Sequence, residues 1–379
     1  MAAALGVLVS CGSVKSGEEV VAASRDSKVV VAYVTSWSEV MPDPQYMTHI
    51  NYAFGHVNES FNGVKIDNEE RLRQIVDLRK QKPELKVLLS IGGWGSGRFS
   101  EMAANDEYRR AFAADCDRVV KEFALDGIDI DWEYPTSSMA NISSSPDDTE
   151  NFTLLMQDIR AAIGNEKELT LATVASARYI DFKAILPSVD FVNIMAYDMA
   201  SAPKHHSALY PSGHSGDITS DGAVTAHLKA GVPPSKLVMG MPFYGRGGDG
   251  YPSFQDYNKV GNTDTQYTEK WDEVAQVPYL ADKNDTLVFG FENPRSLAIK
   301  CQYILDKDLL GGMYWDYSGD NEQGDLRRTV AENLLGKPHK AKVLVLTERG
   351  GQHGGFTDAG LKWLAAEGAK GNFSITEIN

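Results

Sequence analysis

A closed parallel (β/α)8 barrel, the TIM-barrel architecture, is the fold class this sequence predicts, and three observations predict it. Short apolar runs recur from Val29 onward at intervals of about 40 residues, each ends in polar residues, and an amphipathic helical pattern separates one from the next. The runs are Val29 to Trp37, His49 to Val57, Lys86 to Trp94, Gly127 to Tyr134, Leu169 to Ser176, Phe191 to Asp198, Leu237 to Tyr244 and Gly311 to Tyr317. Every strand of a parallel sheet needs a covering helix, and none of the eight runs reads as an edge, so closure is favoured over an open doubly wound sheet. One helix shows the pattern well, with Asp147 or Asp148 read as N-cap and Phe152, Leu155, Met156, Ile159 and Ile163 as its buried stripe. After the seventh run the insertion is short: Gly248 to Asn293 is 46 residues, with extended runs at Val277 to Leu280 and Thr286 to Phe291. The barrel account is complete at residues 324–335, which gives a domain over residues 28–336.

Residues 337–379 start afresh as one βαβ fragment: a strand Lys342 to Leu346, a Gly-rich turn, a helix Thr357 to Glu367 and a strand Phe373 to Ile378. One such unit cannot bury both faces of two strands, so the chain is expected to stop inside a second domain or to carry a docked C-terminal extension. Its opening, VLVLTERGGQHGGFTDAG, resembles the start of the trehalose-utilisation-like domains of flavodoxin-like fold.

Composition bounds the function. The 379 residues are 42% hydrophobic and 23% charged, which is globular, and the net charge of -15 repels polyphosphates, so nucleic acid is not an expected partner. Three cysteines cannot make a disulfide framework; Cys116 and Cys301 sit in helical apolar stripes and are read as core. Cys11 differs. It ends the run Leu8, Val9, Ser10, Cys11, which resembles the lipobox where bacterial signal peptidase cuts and leaves a lipidated cysteine. The stretch lacks a basic n-region and is shorter than a usual signal, which places the true start upstream; the alternative is a frayed apolar N-terminus. Residues 12–27 read as a tether, so the expectation is a secreted, cell-surface or periplasmic bacterial lipoprotein, held to a membrane by this anchor and otherwise monomeric.

The chemistry concentrates in Asp126 to Pro135. Side chains alternate along a strand, so Asp129, Asp131 and Glu133 share one face about 6.6 Å apart while Ile128, Ile130 and Trp132 take the other. The apolar set can pack beneath helices, which turns the acidic set into the barrel. Neighbouring buried carboxylates raise at least one pKa, and a raised pKa is what a general acid needs at neutral pH. The alternatives are a solvated acidic edge, which would not alternate with Ile and Trp, and a metal site, disfavoured because no His lies on this strand. No metal and no cofactor is expected. Gly245, Gly247 and Gly250 fit GxGxxG, but no helix start follows them, so a dinucleotide site is not read here. His205 and His206 are placed in a polar loop, splayed by adjacency.

Here the sequence resembles glycoside hydrolase family 18, the chitinases and their relatives, over residues 29–335. The DxxDxDxE motif reads as Asp126, Asp129, Asp131 and Glu133; SIGGW lies at Ser90 to Trp94, MxYD at Met195, Tyr197 and Asp198, PFYGR at Pro242 to Arg246, and Trp315 ends the eighth barrel strand. The resemblance implies that Glu133 protonates the glycosidic oxygen, Asp131 orients the substrate's acetamido group and Asp129 shares a proton with Asp131. It implies that Tyr197 binds the acetamido carbonyl, that Met195, Asp198, Tyr244 and Arg246 shape the sugar subsite, that Trp315 is its floor, and that Tyr33, Phe54 and Trp94 complete the walls. It also implies cis peptides at Ala53–Phe54, Glu133–Tyr134 and Trp315–Asp316. Carboxylates on one strand approach a sugar from one side, so another nucleophile is required; Asp198 could supply it, but this family uses the substrate's own N-acetyl oxygen. The implied partner is a polymer or oligomer of β-1,4-linked N-acetylglucosamine. An endo-β-N-acetylglucosaminidase on N-glycans or peptidoglycan, or a chitin-binding lectin without turnover, are the alternatives. The short insertion predicts a low wall, an open groove and internal cleavage.

Overall fold

The computed structural model describes residues 28–248, 251–260 and 266–336, together with the backbone of two further strands, Ala341–Val345 and Phe373–Glu377. The chain divides into two compact units, residues 1–336 and 337–379. Cys11 lies outside the described residues, and so does the helix expected over Thr357 to Glu367. Among the described residues no helix is long and apolar enough to cross a membrane.

In the first unit the strands are β1 (Val29–Thr35), β2 (His49–Val57), β3 (Val64–Ile66), β4 (Lys86–Gly92), β5 (Gly127–Asp131), β6 (Glu168–Val174), β7 (Phe191–Met195), β8 (Leu237–Pro242), β9 (Tyr244–Gly247), β10 (Gln255–Asp256), β11 (Thr268–Asp272), β12 (Val277–Ala281), β13 (Leu287–Gly290) and β14 (Gly311–Trp315). Strands β1, β2, β4, β5, β6, β7, β8 and β14 pair in parallel, and β1 pairs with both β2 and β14, which closes the ring. The predicted barrel is therefore present. In all but β2 the apolar run overshoots the strand by two or three residues at its C-terminal end. The overshoot is where the chain leaves the ladder and folds over the barrel mouth.

Period-two alternation sorts the side chains into two cores. On β1, Val30, Ala32 and Val34 join the layer under the helices, while Val31 and Tyr33 join a smaller interior cluster with Ala53, Phe54, Phe191, Val238 and Met313. The helix Asp148–Ile163 buries its whole expected stripe, and of the two acids expected at its N-cap it is Asp147 that stands there, without a side-chain bond. The Asp148 carboxylate is fully buried and accepts from Ser100 Oγ (2.7 Å), Ser145 N (2.7 Å) and Thr136 N (3.1 Å), so it clamps the loop that follows β5. Cys116 and Cys301 are buried free thiols whose pKa values burial pushes up.

The insertion after β8 is a five-stranded antiparallel sheet in the order β10, β9, β13, β12, β11. Ala53–Phe54, Glu133–Tyr134 and Trp315–Asp316 are all cis, as is Ala202–Pro203. In the second unit the strands Ala341–Val345 and Phe373–Glu377 pair in parallel.

Candidate active site

The acidic row stands as the alternation predicts. Ile128, Ile130 and Trp132 pack in the outer core, and Asp129, Asp131 and Glu133 point into the barrel with exposures of 0%, 4% and 9%. Asp129, the deepest, accepts from Thr170 Oγ1 (2.6 Å), Tyr33 Oη (2.8 Å), Ser90 Oγ (2.8 Å) and Asn193 Nδ2 (3.3 Å). Burial raises its pKa, and these four donors oppose the rise. Asp131 has no such relief: its Oδ1 is buried without a partner, and burial, then the charges of Glu133 and Asp129, push its pKa well up. Asp129 acts on Asp131 as a like charge. Glu133 at the mouth is pushed up to about 7, by burial first and by Asp198 as a like charge, against a bond from Tyr134 that lowers it.

Two glycines at the end of β4 permit close approaches, one to the acidic row and one to Phe54. A Cβ on Gly92, at φ +131°, would lie 2.0 Å from the Asp131 carbonyl oxygen, and one on Gly93, at φ +90°, would lie 2.7 Å from the Phe54 ring. Only glycine fits there, which is the physical content of the Ser90 to Trp94 motif.

Above the row opens a cleft of about 950 Å³ to which Tyr33, Phe54, Trp94, Met195, Tyr197, Asp198, Tyr244, Arg246 and Trp315 all contribute. The structure therefore brings together every site residue expected at the mouth. Trp315 lies over Phe54 at 5.5 Å and 22°, and 5.5 Å from Tyr33. Trp94 projects into solvent at 62% exposure rather than joining the core. Sequence reasoning missed several lining residues: Trp37 and Met139, exposed at 64% and 62%, Tyr134 stacked on Tyr179, and Phe254 stacked on Tyr244 at 4.7 Å. Trp37 stood at the end of the first run and carried a usable signal. Met139 and Phe254 lie on loops with no periodicity.

Just past the end of β7, two strands along the ring from the acidic row, Asp198 is in the left-handed region at φ 55° and its side chain is 40% exposed. Arg246 grips both of its oxygens, with Nε to Oδ1 at 2.7 Å and Nη2 to Oδ2. Partial burial raises the Asp198 pKa, but Arg246 and His206 outweigh it and hold the carboxyl well below the usual carboxylate range. The polar-loop expectation for His205 and His206 is overturned: both are buried, at 2% and 1% exposure. His205 pairs with Asp272 at 3.2 Å, and burial lowers its pKa to about 4. His206 places Nδ1 3.4 Å from Asp198 Oδ1 and its ring 5.4 Å from that of Tyr244. The insertion sheet and a fully buried Lys300–Glu292 ion pair, bonded to Ser207, cover this segment. Those partners lie more than 60 residues downstream, which is why polarity alone misplaced it. Among the described residues no group of three or more His, Cys, Asp or Glu side chains is placed to hold a metal.

Comparison with known proteins gives a consistent picture. The family description "Glycosyl hydrolases family 18" matches residues 29–320. Chitinase A1 of Niallia circulans is 30% identical, over 80% of this chain and 58% of its own length, so the chain spans less than two thirds of that relative. Chitotriosidase-1 of Mus musculus is 31% identical, over 78% of this chain and 74% of its own. Among solved structures, a family 18 N-acetylglucosaminidase from Paenibacillus barengoltzii superposes with a TM-score of 0.75 at 32% identity, covering 81% of this chain and all of that one.

Proposed function

The chain belongs to glycosyl hydrolases family 18, and from that premise we propose that it hydrolyses β-1,4 bonds in chitin and chitin oligosaccharides with retention, using the substrate's own N-acetyl group as nucleophile. The observation that carries this reading is the contrast between two carboxylates of the cleft. Glu133, titrating at about 7, is a proton donor at neutral pH, while both oxygens of Asp198 are engaged by the Arg246 guanidinium and are not free to attack. A second free carboxylate of the ordinary two-acid scheme is missing at the mouth, and family 18 is among the known exceptions to that scheme.

Glu133 gives its proton to the glycosidic oxygen as that bond breaks, and the acetamido carbonyl oxygen closes on the anomeric carbon to form an oxazolinium ion. Asp131, buried with a free Oδ1, takes the acetamido N–H and stabilises the cation. Tyr197 orients the carbonyl from β7's end. Ionised Glu133 then takes a proton from water, which opens the ring from the face the leaving group vacated. Two inversions give retention. Asp129, saturated by neutral donors, sets the field beneath Asp131 rather than moving a proton itself.

The rim bears on the mode of attack. Trp37, Trp94, Met139 and Phe254 are exposed along an open groove, and the insertion beside it is a small sheet, which supports internal cleavage. The likeness to an N-acetylglucosaminidase supports a second reading, release of single sugars from chain ends. Product analysis separates the two: a rapid fall in chitin viscosity before soluble sugar accumulates supports the first, and monosaccharide with viscosity unchanged supports the second. Mechanism is tested by anomer: the first products must be β, and a fully deacetylated polymer must bind without being cut. Initial α-anomers would remove the substrate-assisted assignment. Lipid anchoring through Cys11 belongs to the same proposal, tested by incorporation of labelled fatty acid and its loss in Cys11→Ala.

A further inference from the structure

One buried titratable side chain beside the cleft has no part in the chemistry: His206, at 1% exposure. After β7 the chain passes Asp198 and returns, so that the Met199 N–H donates to the His206 carbonyl at 3.0 Å and the imidazole Nδ1 stands 3.4 Å from Asp198 Oδ1. That same oxygen accepts from Arg246 Nε at 2.7 Å. Asp198 is therefore held by two residues, Arg246, which lines the cleft with its side chain 33% exposed, and His206, whose side chain lies inside the protein. The Nε2 of His206 is buried without a hydrogen-bond partner, so among the described residues Asp198 is the charged group with which its ring pairs.

Both chain neighbours of His206 are pinned. His205 pairs with Asp272 at 3.2 Å, and its backbone N–H donates to the His214 carbonyl at 2.7 Å. Ser207 donates Oγ to Glu292 at 2.6 Å and accepts Lys300 Nζ on its carbonyl oxygen at 2.6 Å, against the fully buried ion pair of those two residues. Asp272 ends β11 and Glu292 follows β13, so the insertion sheet supplies the frame. The Tyr244 ring, 5.4 Å away, flanks the imidazole. Asp198 needs such a brace. It stands in the left-handed region, which residues other than glycine adopt infrequently, and its carboxylate is 40% exposed on the turn that leaves β7. An arginine side chain keeps many rotamers open unless it is packed, whereas an imidazole between two pinned neighbours is a rigid support.

We propose that His206 is a positioning residue of the hydrolase: its imidazole fixes the Asp198 carboxylate from the buried side while Arg246 holds it from the cleft, so that Asp198 meets the sugar in one orientation. This rests on reading the cleft as an N-acetylglucosamine site. The test compares His206→Phe, which keeps a buried ring and removes the polar contact, with His206→Asn, whose amide nitrogen lies two bonds from Cβ as Nδ1 does. With N-acetylglucosamine oligomers as substrate, His206→Phe is expected to lower kcat/KM by about tenfold and His206→Asn to restore most of the loss. In an Asp198→Asn background the same His206→Phe change is expected to cost less than about twofold more, because the group it positions is already altered. Equal losses in both backgrounds, or a His206→Phe enzyme within about twofold of the parent, would reduce His206 to a space-filling ring and overturn the proposal. A second measurement needs no change at His206. In histidine-labelled protein the Nδ1 nitrogen-15 resonance of His206 should move on Asp198→Asn, and an unmoved resonance also overturns the proposal. If the parent cuts no N-acetylglucosamine oligomer, the reading of the cleft fails, while the resonance still decides whether His206 holds Asp198.

Discussion

Two carboxylates that line the same cleft have been driven in opposite directions. Glu133 is buried among aromatic and acidic neighbours and titrates at about 7; Asp198 is partly open, gripped by a bidentate guanidinium, and stays ionised far into acid. Burial acts upward on both. The difference lies in the partner: Glu133 has one bond, from Tyr134, whereas Asp198 has a cation fixed on both oxygens. The two are also linked, because the charge of Asp198 helps to raise Glu133. The acid is therefore tuned partly from the end of β7.

Breaking the acid itself has the largest expected effect. Glu133→Gln keeps the shape and removes the proton donor, so chitin hydrolysis should fall by about 10² to 10⁴-fold while oligosaccharide binding persists. Activity within a few-fold of the parent would mean that another group gives the proton.

Cutting the link should have a smaller effect with a definite sign. Asp198→Asn removes a negative charge that helps to raise Glu133, so the alkaline limb of the kcat/KM profile should move to lower pH. Arg246→Met leaves the Asp198 charge uncompensated, so the limb should move to higher pH. Each change should also lower kcat/KM by about tenfold through lost positioning of the sugar. Limbs that shift together, or not at all, would show that Glu133 is tuned by burial alone.

The two walls were unequally legible in the sequence. The acidic row could be read because the strand period forces Asp129, Asp131 and Glu133 apart from Ile128, Ile130 and Trp132. The wall around Asp198 could be read only in part. The family resemblance named Asp198, Tyr244 and Arg246, but His206 took its place through the insertion sheet and the Lys300–Glu292 pair, contacts that no local pattern encodes. The rim aromatics divide the same way: Trp37 and Trp94 end apolar runs, whereas Phe254 is placed by stacking on Tyr244. Asp148 looked like a helix cap and is instead a buried clamp, because its partners Ser100 and Thr136 come from other segments.

The smallest expected effect is on stability, where the two acids should respond to pH with opposite sign. Glu133 has a folded-state pKa raised from an ordinary 4.5 to about 7, so the folded state holds its proton more tightly than the unfolded state does. Its contribution to stability is whole below the unfolded value and is lost as pH rises through about 7, where a buried charge must be carried. Asp198 is the reverse. Its lowered pKa contributes stability above the ordinary carboxylate range, and that contribution is lost only as pH falls through the lowered folded value. Glu133→Gln should therefore melt a few degrees above the parent at pH 8 and level with it at pH 4, with the gain growing between about 4.5 and about 7. Asp198→Asn should melt below the parent at pH 8, and the gap should close only in strong acid. Its size should be the lesser of the two, since the Asp198 side chain is 40% exposed and solvent screens its pairing. Thermal melts of both variants and the parent across that pH range measure the two curves. Curves that run parallel to the parent for both variants would show that neither carboxyl differs between folded and unfolded chains, and the opposition between the two would then have no energetic content.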